Sequence, residues 1–257
     1  MKLAITALAS VSALAFATAA SAKDYYATVS GGISLLSDSD NDGAFVGDFT
    51  TGAGTTIASG TVLPDGTPVG WTTDFDNGYA INGAIGKGYG PFRAELEIGY
   101  QQNDVGSHAG VAAGGIDLSA EDAGVLVTGS GNLGTSVADL VAAGEGDVST
   151  LFVMANLIYD VETPGPLTPY IGGGIGVGFV DVEYAPSGVG IIDDSATTFA
   201  YQVKAGLAYE LTPLTDLFVG YRYRATTDAE VEATLFSADF DIENSASVIE
   251  AGITVGF

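Results

Sequence analysis

The 257-residue chain carries 32 acidic residues against 7 Lys and Arg, a formal charge of -25. That balance excludes a nucleic-acid partner, whose phosphate backbone such a surface repels. A hydrophobic content of 47% excludes disorder for most of the chain, and the absence of cysteine excludes both disulfides and a lipidated N-terminal Cys.

Residues 1–22 read as a cleaved signal peptide: Lys2 is a positive n-region, Leu3 to Ala20 an apolar run, and Ala20-Ser21-Ala22 a small-x-small cleavage site. The competing reading of this run is a transmembrane helix. No other stretch is long and apolar enough to span a bilayer as a helix, so membrane residence of residues 23–257 requires a closed barrel. Those residues suit one all-β domain, because their many Gly, Tyr and Phe favour turns and strands.

Eight strand segments follow in chain order. Tyr25 to Leu36 and Gly78 to Lys87 come first. Phe92, Ala94, Leu96, Ile98 and Tyr100 then alternate with Arg93, Glu95, Glu97, Gly99 and Gln101, a strict period of two. Ser149 to Val161 and Thr168 to Tyr184 are weaker, the latter interrupted by Gly172-Gly173-Gly174. Phe199, Tyr201, Val203, Ala205, Leu207 and Tyr209 face away from Gln202, Lys204 and Gly206. Leu217, Val219, Tyr221 and Tyr223 alternate with Phe218, Gly220, Arg222 and Arg224, and Ile249 to Phe257 alternates with Glu250, Gly252, Thr254 and Gly256.

Short Gly/Pro turns at 88–91, 163–166 and 212–215 alternate with long connections at about 37–77, 104–148, 185–196 and 228–242. This alternation predicts an eight-stranded antiparallel up-and-down transmembrane β-barrel with long extracellular loops. A soluble β-sandwich is the alternative, and it gives no reason for the alternation.

The aromatic spacing bears on which face meets lipid. Tyr201 and Tyr209, like Phe92 and Tyr100, lie eight residues apart on the apolar face. Eight residues cover about 26 Å along a strand, or about 20 Å along the membrane normal at a ~40° tilt, the spacing of interfacial girdles. The opposite face collects Arg93, Glu95, Glu97, Lys204, Arg222, Arg224 and Glu250. In an eight-stranded membrane barrel these charges face a lumen only wide enough for side chains, which predicts a plug of ion pairs. In a sandwich they are a solvated face.

The segments GPFRAELEIGYQ from Gly90, LTPYIGGGIGVG from Leu167, YQVKAGLAYELTPLTDLFVGYRY from Tyr201 and the terminal AGITVGF resemble the outer-membrane protein β-barrel family. That family includes the opacity and surface-antigen proteins and the barrel half of OmpA-like porins. The likeness is clearest in 78–103 and 149–257 and leaves out the two longest loops. It implies residence in the outer membrane of a Gram-negative cell, in contact with lipid and lipopolysaccharide. It also implies that Phe257, ending an alternating strand, is the signal read by the outer-membrane assembly machinery. No peptidoglycan-binding domain is expected after it. The expected role is structural or surface-interacting, toward an extracellular ligand the sequence does not name; the rival role is a small barrel transporting ions or small apolar solutes.

The loops carry the remaining chemistry. Asp38, Asp40 and Asp42, with Gly43 as the sixth residue, form the first half of a calcium loop, but Phe49 stands where a bidentate Glu belongs. A polar hairpin tip meeting outer-leaflet divalent cations, or nothing, is the alternative. No other cofactor is expected. Ser136 to Val141 reads as a short capped helix, a lid or a rim anchor. The single histidine, His108, begins a Gly/Ala-rich loop near Asp104 and reads as solvated. With no second His and no Cys, no catalytic set is expected.

Overall fold

The computed structural model describes residues 25–257; the expected signal peptide lies outside the described residues. Eight long strands carry the architecture: β1 (Tyr25–Leu36), β2 (Gly78–Tyr89), β3 (Phe92–Ala113), β4 (Gly146–Asp160), β5 (Leu167–Tyr184), β6 (Ile192–Thr212), β7 (Thr215–Thr226) and β8 (Ser245–Gly256). Each pairs antiparallel with its neighbours in sequence, and β8 returns to pair with β1 from Tyr26↔Gly256 to Leu36↔Ala246. The last backbone donor, Phe257 N–H, bonds Tyr25 O at 2.9 Å. A ring of this kind has no free edge, so every ladder group finds a partner without water.

The ring is inverted relative to a soluble protein. Leu96, Ile175 and Val203 are among the most exposed side chains, at 64%, 61% and 55%, whereas Glu97 and Arg224 are 4% and 1% exposed. The alternation visible in the sequence is therefore apolar-out and polar-in. Aromatic residues bracket the apolar band. Tyr89, Phe92, Tyr159 and Tyr209 lie at the end with the short turns, and Tyr79, Tyr100, Tyr201 and Tyr221 lie toward the other end. The Tyr79 and Tyr100 hydroxyls both donate to Gln102 Oε1 at 3.0 Å, and the Phe92 and Tyr159 rings stack obliquely at 5.2 Å.

Strand content exceeds the expected eight. The segments expected as long loops fold into a cap. Strand β3 continues to Ala113, where a loop was expected from 104, and β6 begins at Ile192. The segment Ala229–Glu232 pairs with Ala238–Ile242, which pairs in turn with Ser39–Phe45, Pro68–Phe75 and the outer half of β3. A bridge from Ala233 to Ile192 brings the far edge back to β6. Short pairs at Phe49–Thr50 with Val62–Leu63, and Ile116–Asp117 against β3, complete it.

Burial explains why these polar-looking segments order. Val69 and Trp71, Val231, Phe240 and Ile242, and the cap-end residues Val180, Val182 and Tyr184 of β5 form one apolar core. The capped helix at Val137–Val141 buries Val137 and Val141, and the Ser136 hydroxyl accepts from Asp139 N–H at 3.1 Å. Asp122 ties the connection between β3 and β4 together, its carboxylate accepting from the N–H groups of Gly124, Leu133 and Gly134 at 2.7–2.9 Å.

Candidate functional site: the buried ion-pair network

The interior of the ring changes character along its axis. At the end bounded by the short turns is a vestibule of about 310 Å³, lined by Tyr26, Arg93, Asp160, Tyr170, Glu210 and Asp216 among others. Its floor includes Glu97, Lys204, Arg222 and Glu250. Beyond that floor come the polar side chains of Gln101, Asn103, Thr150 and Asn244, and then the apolar core of the cap.

All seven charged residues singled out by their spacing lie in this interior, from four different strands. Glu97 on β3 is the hub. Its carboxylate accepts from Arg222 Nη1, from Arg224 Nη2 at 2.9 Å and from Lys204 Nζ at 3.2 Å. Gln202 Nε2 and Asn156 Nδ2 donate to it as well, at 3.1 and 3.2 Å. Glu95 takes Lys204 Nζ at 2.9 Å, and Glu250 takes Arg222 Nη2 at 3.0 Å and the Ser30 hydroxyl at 2.7 Å. Arg224 also lays its guanidinium over the Phe152 ring, 4.3 Å from the centroid. Arg93 stands at the vestibule edge, bidentate to Asp160 at 2.7 and 2.8 Å.

With Asp160 included, four cations face four carboxylates. Charges removed from water are tolerated when paired and hydrogen-bonded, and this set balances. Asp160, Asn82, Gln202 and Asn156 were missing from the sequence-derived set. Parity was the available signal, because each stands at an inward position of its strand beside residues already assigned. Asn82 Oδ1 accepts from Arg224 Nη2 at 2.9 Å, and Gln202 Oε1 accepts from Arg222 Nη1 at 3.0 Å and Arg224 Nε at 3.1 Å.

Glycines make room for these large groups. A Cβ on Gly99 would stand 2.5 Å from Asn82 Oδ1 and 2.9 Å from Arg224 Nη1; one on Gly206 would stand 2.5 Å from the Tyr170 hydroxyl. Gly99→Val is therefore expected to displace Arg224 and cost about 1–3 kcal/mol, as overpacking does. Urea unfolding from lipid vesicles measures it, and Gly83→Val, whose Cβ meets only Thr28 O at 4.0 Å, is the control with a smaller effect.

Two sequence readings need correction. The calcium half-loop is not a loop: Ser39–Phe45 is a strand paired on both sides, so Asp40 and Asp42 project from an extended backbone. Gly43, where the motif needs a sharp turn, pairs with Val69 and Phe240, and Asp40 Oδ1 accepts from the Thr72 hydroxyl at 2.9 Å. Asp38 precedes the strand and adds no wrapping ligand. Among the described residues no group of three or more His, Cys, Asp or Glu is placed to hold a metal. His108 is not solvated either. It is 4% exposed inside the cap, with Nδ1 2.8 Å from Thr73 Oγ1 and its ring against Trp71 and Tyr184.

An antiparallel ring with an apolar exterior, aromatic margins and a charged, paired interior defines an outer-membrane β-barrel protein. Comparison with known proteins narrows this. The profile described as "Surface antigen" matches residues 58–255, and the chain belongs to that family. Major surface antigen 4 of Anaplasma marginale is 27% identical over 184 residues, covering 69% of this chain and 60% of that protein. The chain thus spans less than two thirds of that relative's length. Neisserial surface protein A aligns over 91% of this chain and 97% of its own, at 17% identity and a TM-score of 0.44. The outer membrane protein OprG from Pseudomonas aeruginosa covers the same shares at 13% identity and a TM-score of 0.47.

Proposed function

We propose that this chain is an eight-stranded outer-membrane barrel that is closed to solutes and presents a folded cap at the cell surface, in a structural or surface-interaction role. The supporting observation is the Glu97 hub: three cations from two strands converge on one carboxylate across the lumen. The apolar band between the two aromatic margins meets lipid and lipopolysaccharide acyl chains, the short turns face the periplasm, and the cap faces outward. Residues 1–22 direct export and are removed, and Phe257 is the residue presented to the assembly machinery. The vestibule is then a periplasmic recess that ends at the plug. This favours closure over transport of ions or apolar solutes.

Two measurements test the reading. In planar bilayers the wild-type protein is expected to give no stable conductance of porin size; a steady open pore would end the closed-barrel assignment. Leu96→Arg places a charge on the most exposed part of the outer face. It is expected to cost about 2–4 kcal/mol if that face is at the bilayer midplane, against almost nothing on a solvated surface. A neutral effect on unfolding from vesicles would contradict the membrane orientation.

A further inference from the structure

The cap contains a second cavity, of about 120 Å³, remote from the charged lumen. Its walls are almost wholly apolar: Phe45, Phe49, Trp71, Val111, Leu118 and Phe236. The hydroxyls of Thr51 and Thr61, which also reach it, have committed their protons, both donating to Ala58 O at 3.1 and 2.7 Å, and keep only acceptor lone pairs. One polar side chain in the lining has a buried atom with no partner. His108 is 4% exposed, and its Nε2 is buried without a hydrogen-bond partner.

The protonation of that atom follows from its neighbours. Thr73 Oγ1 accepts from Asn41 Nδ2 at 2.8 Å and from Trp71 Nε1 at 3.2 Å. A hydroxyl has two lone pairs and one proton, so with both lone pairs engaged it can only donate to its third neighbour, His108 Nδ1 at 2.8 Å. Nδ1 is therefore the acceptor nitrogen and the ring proton resides on Nε2. Burial holds the imidazole's pKa down to about 4, so the ring stays neutral at physiological pH. A buried N–H donor without an acceptor is costly. Water is a poor remedy in a cavity with almost wholly apolar walls, because an ordered water needs two to four polar partners.

We infer that the cap cavity is a binding site for a small monocyclic, largely apolar molecule bearing a single hydrogen-bond acceptor, which His108 Nε2–H engages. Size sets the class. An apolar cavity of about 150 Å³ accommodates one benzene ring, so one of about 120 Å³ takes at most a five-membered ring with a one-atom acceptor and not a fatty chain. The partly buried Phe49, Leu63 and Phe236 line it together with the edge-to-face ring pair of Trp71 and His108.

His108 and Trp71 are the sole residues of their types in the chain, so labelled protein reports on this site without ambiguity. Reconstituted in lipid nanodiscs with ¹⁵N-labelled His and Trp, the protein would be titrated with cyclopentanone and, separately, with methylenecyclopentane, which has the same shape but no acceptor. Both are expected to shift the Trp71 indole resonance saturably; cyclopentanone alone should shift the His108 Nε2–H resonance. His108→Phe should weaken cyclopentanone about tenfold and leave methylenecyclopentane within about twofold, the effect of losing one hydrogen bond. Val111→Phe, which fills the cavity, should abolish binding of both. If either variant fails to fold, the wild-type pair of titrations still decides. An imidazole proton found on Nδ1, the absence of a saturable shift with cyclopentanone, or equal Nε2–H shifts with both compounds would each overturn the inference.

Discussion

Replacing Glu97 by Ala is expected to destabilise the protein by about 3–5 kcal/mol and to turn a closed lumen into a leaky one. The magnitude is that of removing one member of a buried ion network while its partners remain. Without Glu97 four cations face three carboxylates. Lys204 and Arg222 keep Glu95 and Glu250, but Arg224 loses the carboxylate that holds it and retains Asn82 and Gln202 as neutral acceptors. Its guanidinium must draw in water or counter-ions, and either route wets the constriction. Conductance in planar bilayers should therefore rise above the wild-type baseline and favour anions, because the surplus charge is positive. Glu97→Gln separates charge from shape and should destabilise less than Ala, because the amide fills the space. By contrast, Asp160→Asn at the vestibule edge should cost less, about 1–2 kcal/mol, since that pair keeps some contact with water and Arg93 retains Glu95 at 3.8 Å. Equal costs at Glu97 and Asp160, with no change in conductance, would remove Glu97 from its role as hub.

The ring was legible in the sequence because its physics repeats every two residues. Arg93, Glu95 and Glu97 share one parity and Phe92, Leu96 and Ile98 the other, and a one-residue slip would put every charge into lipid. The cap was not, although parts of it alternate as strictly. Ala229-Glu230-Val231-Glu232 and Ala238-Asp239-Phe240-Asp241-Ile242 bury one face each, yet four or five residues rich in acid read as a polar loop. Ser39–Phe45 hides better still, because its inward face begins with Ser39 and Asn41: Asn41 Nδ2 donates to Trp71 O and Thr73 Oγ1, and the Ser39 hydroxyl donates to Asn41 Oδ1 and accepts from Glu243 N–H. In the Asp38, Asp40 and Asp42 series that suggested calcium, Asp40 and Asp42 are the outward parity of that strand and Asp38 precedes it.

His108 was lost for a different reason. Odd positions of β3 face inward as far as Val105, which places an even-numbered residue on the outside. The pairing with Pro68–Phe75 shifts register between Asp74 and Phe75, so that Phe75 faces Val105 while Thr73 faces His108. One extra residue in a strand reverses the parity until a second shift restores it, as the one between Gly70 and Thr72 does before the buried Val111 and Ala113. Composition carries no mark of it: Gly106 and Ser107 would suit a bulge or a loop equally.

That reversal makes the cap acid-sensitive. Lowering the pH from 7 to about 4.5 is expected to loosen the packing around Trp71 by up to about 3 kcal/mol, at about 1.4 kcal/mol for each pH unit that separates the folded imidazole from the unfolded one. Burial alone holds the His108 imidazole down to about 4, against an ordinary value of 6.5. A depressed histidine contributes its full share of stability above pH 6.5, where both folded and unfolded cap leave it neutral. Below that the unfolded chain takes up the proton first, so stability falls as pH drops toward 4. An opposing effect comes from the carboxylates on the cap side of the aromatic margin. Burial raises Asp147 and Asp181, and neighbouring acids add to it: Glu183 and Asp104 for the first, Asp193 and Asp194 for the second. Their folded-state affinity for protons is enhanced, so protonating them favours the folded cap as pH falls through their raised values. The two effects are separable because His108 touches Trp71 and the acids do not. In wild-type protein, Trp71 fluorescence and exchange of the cap amides should both report loosening between pH 6.5 and 4.5. In His108→Phe, which keeps a ring in place but cannot charge, that loosening should vanish while the carboxylate effect remains, leaving the cap tighter in acid. A variant that still loosened over the same interval would locate the acid sensitivity outside His108.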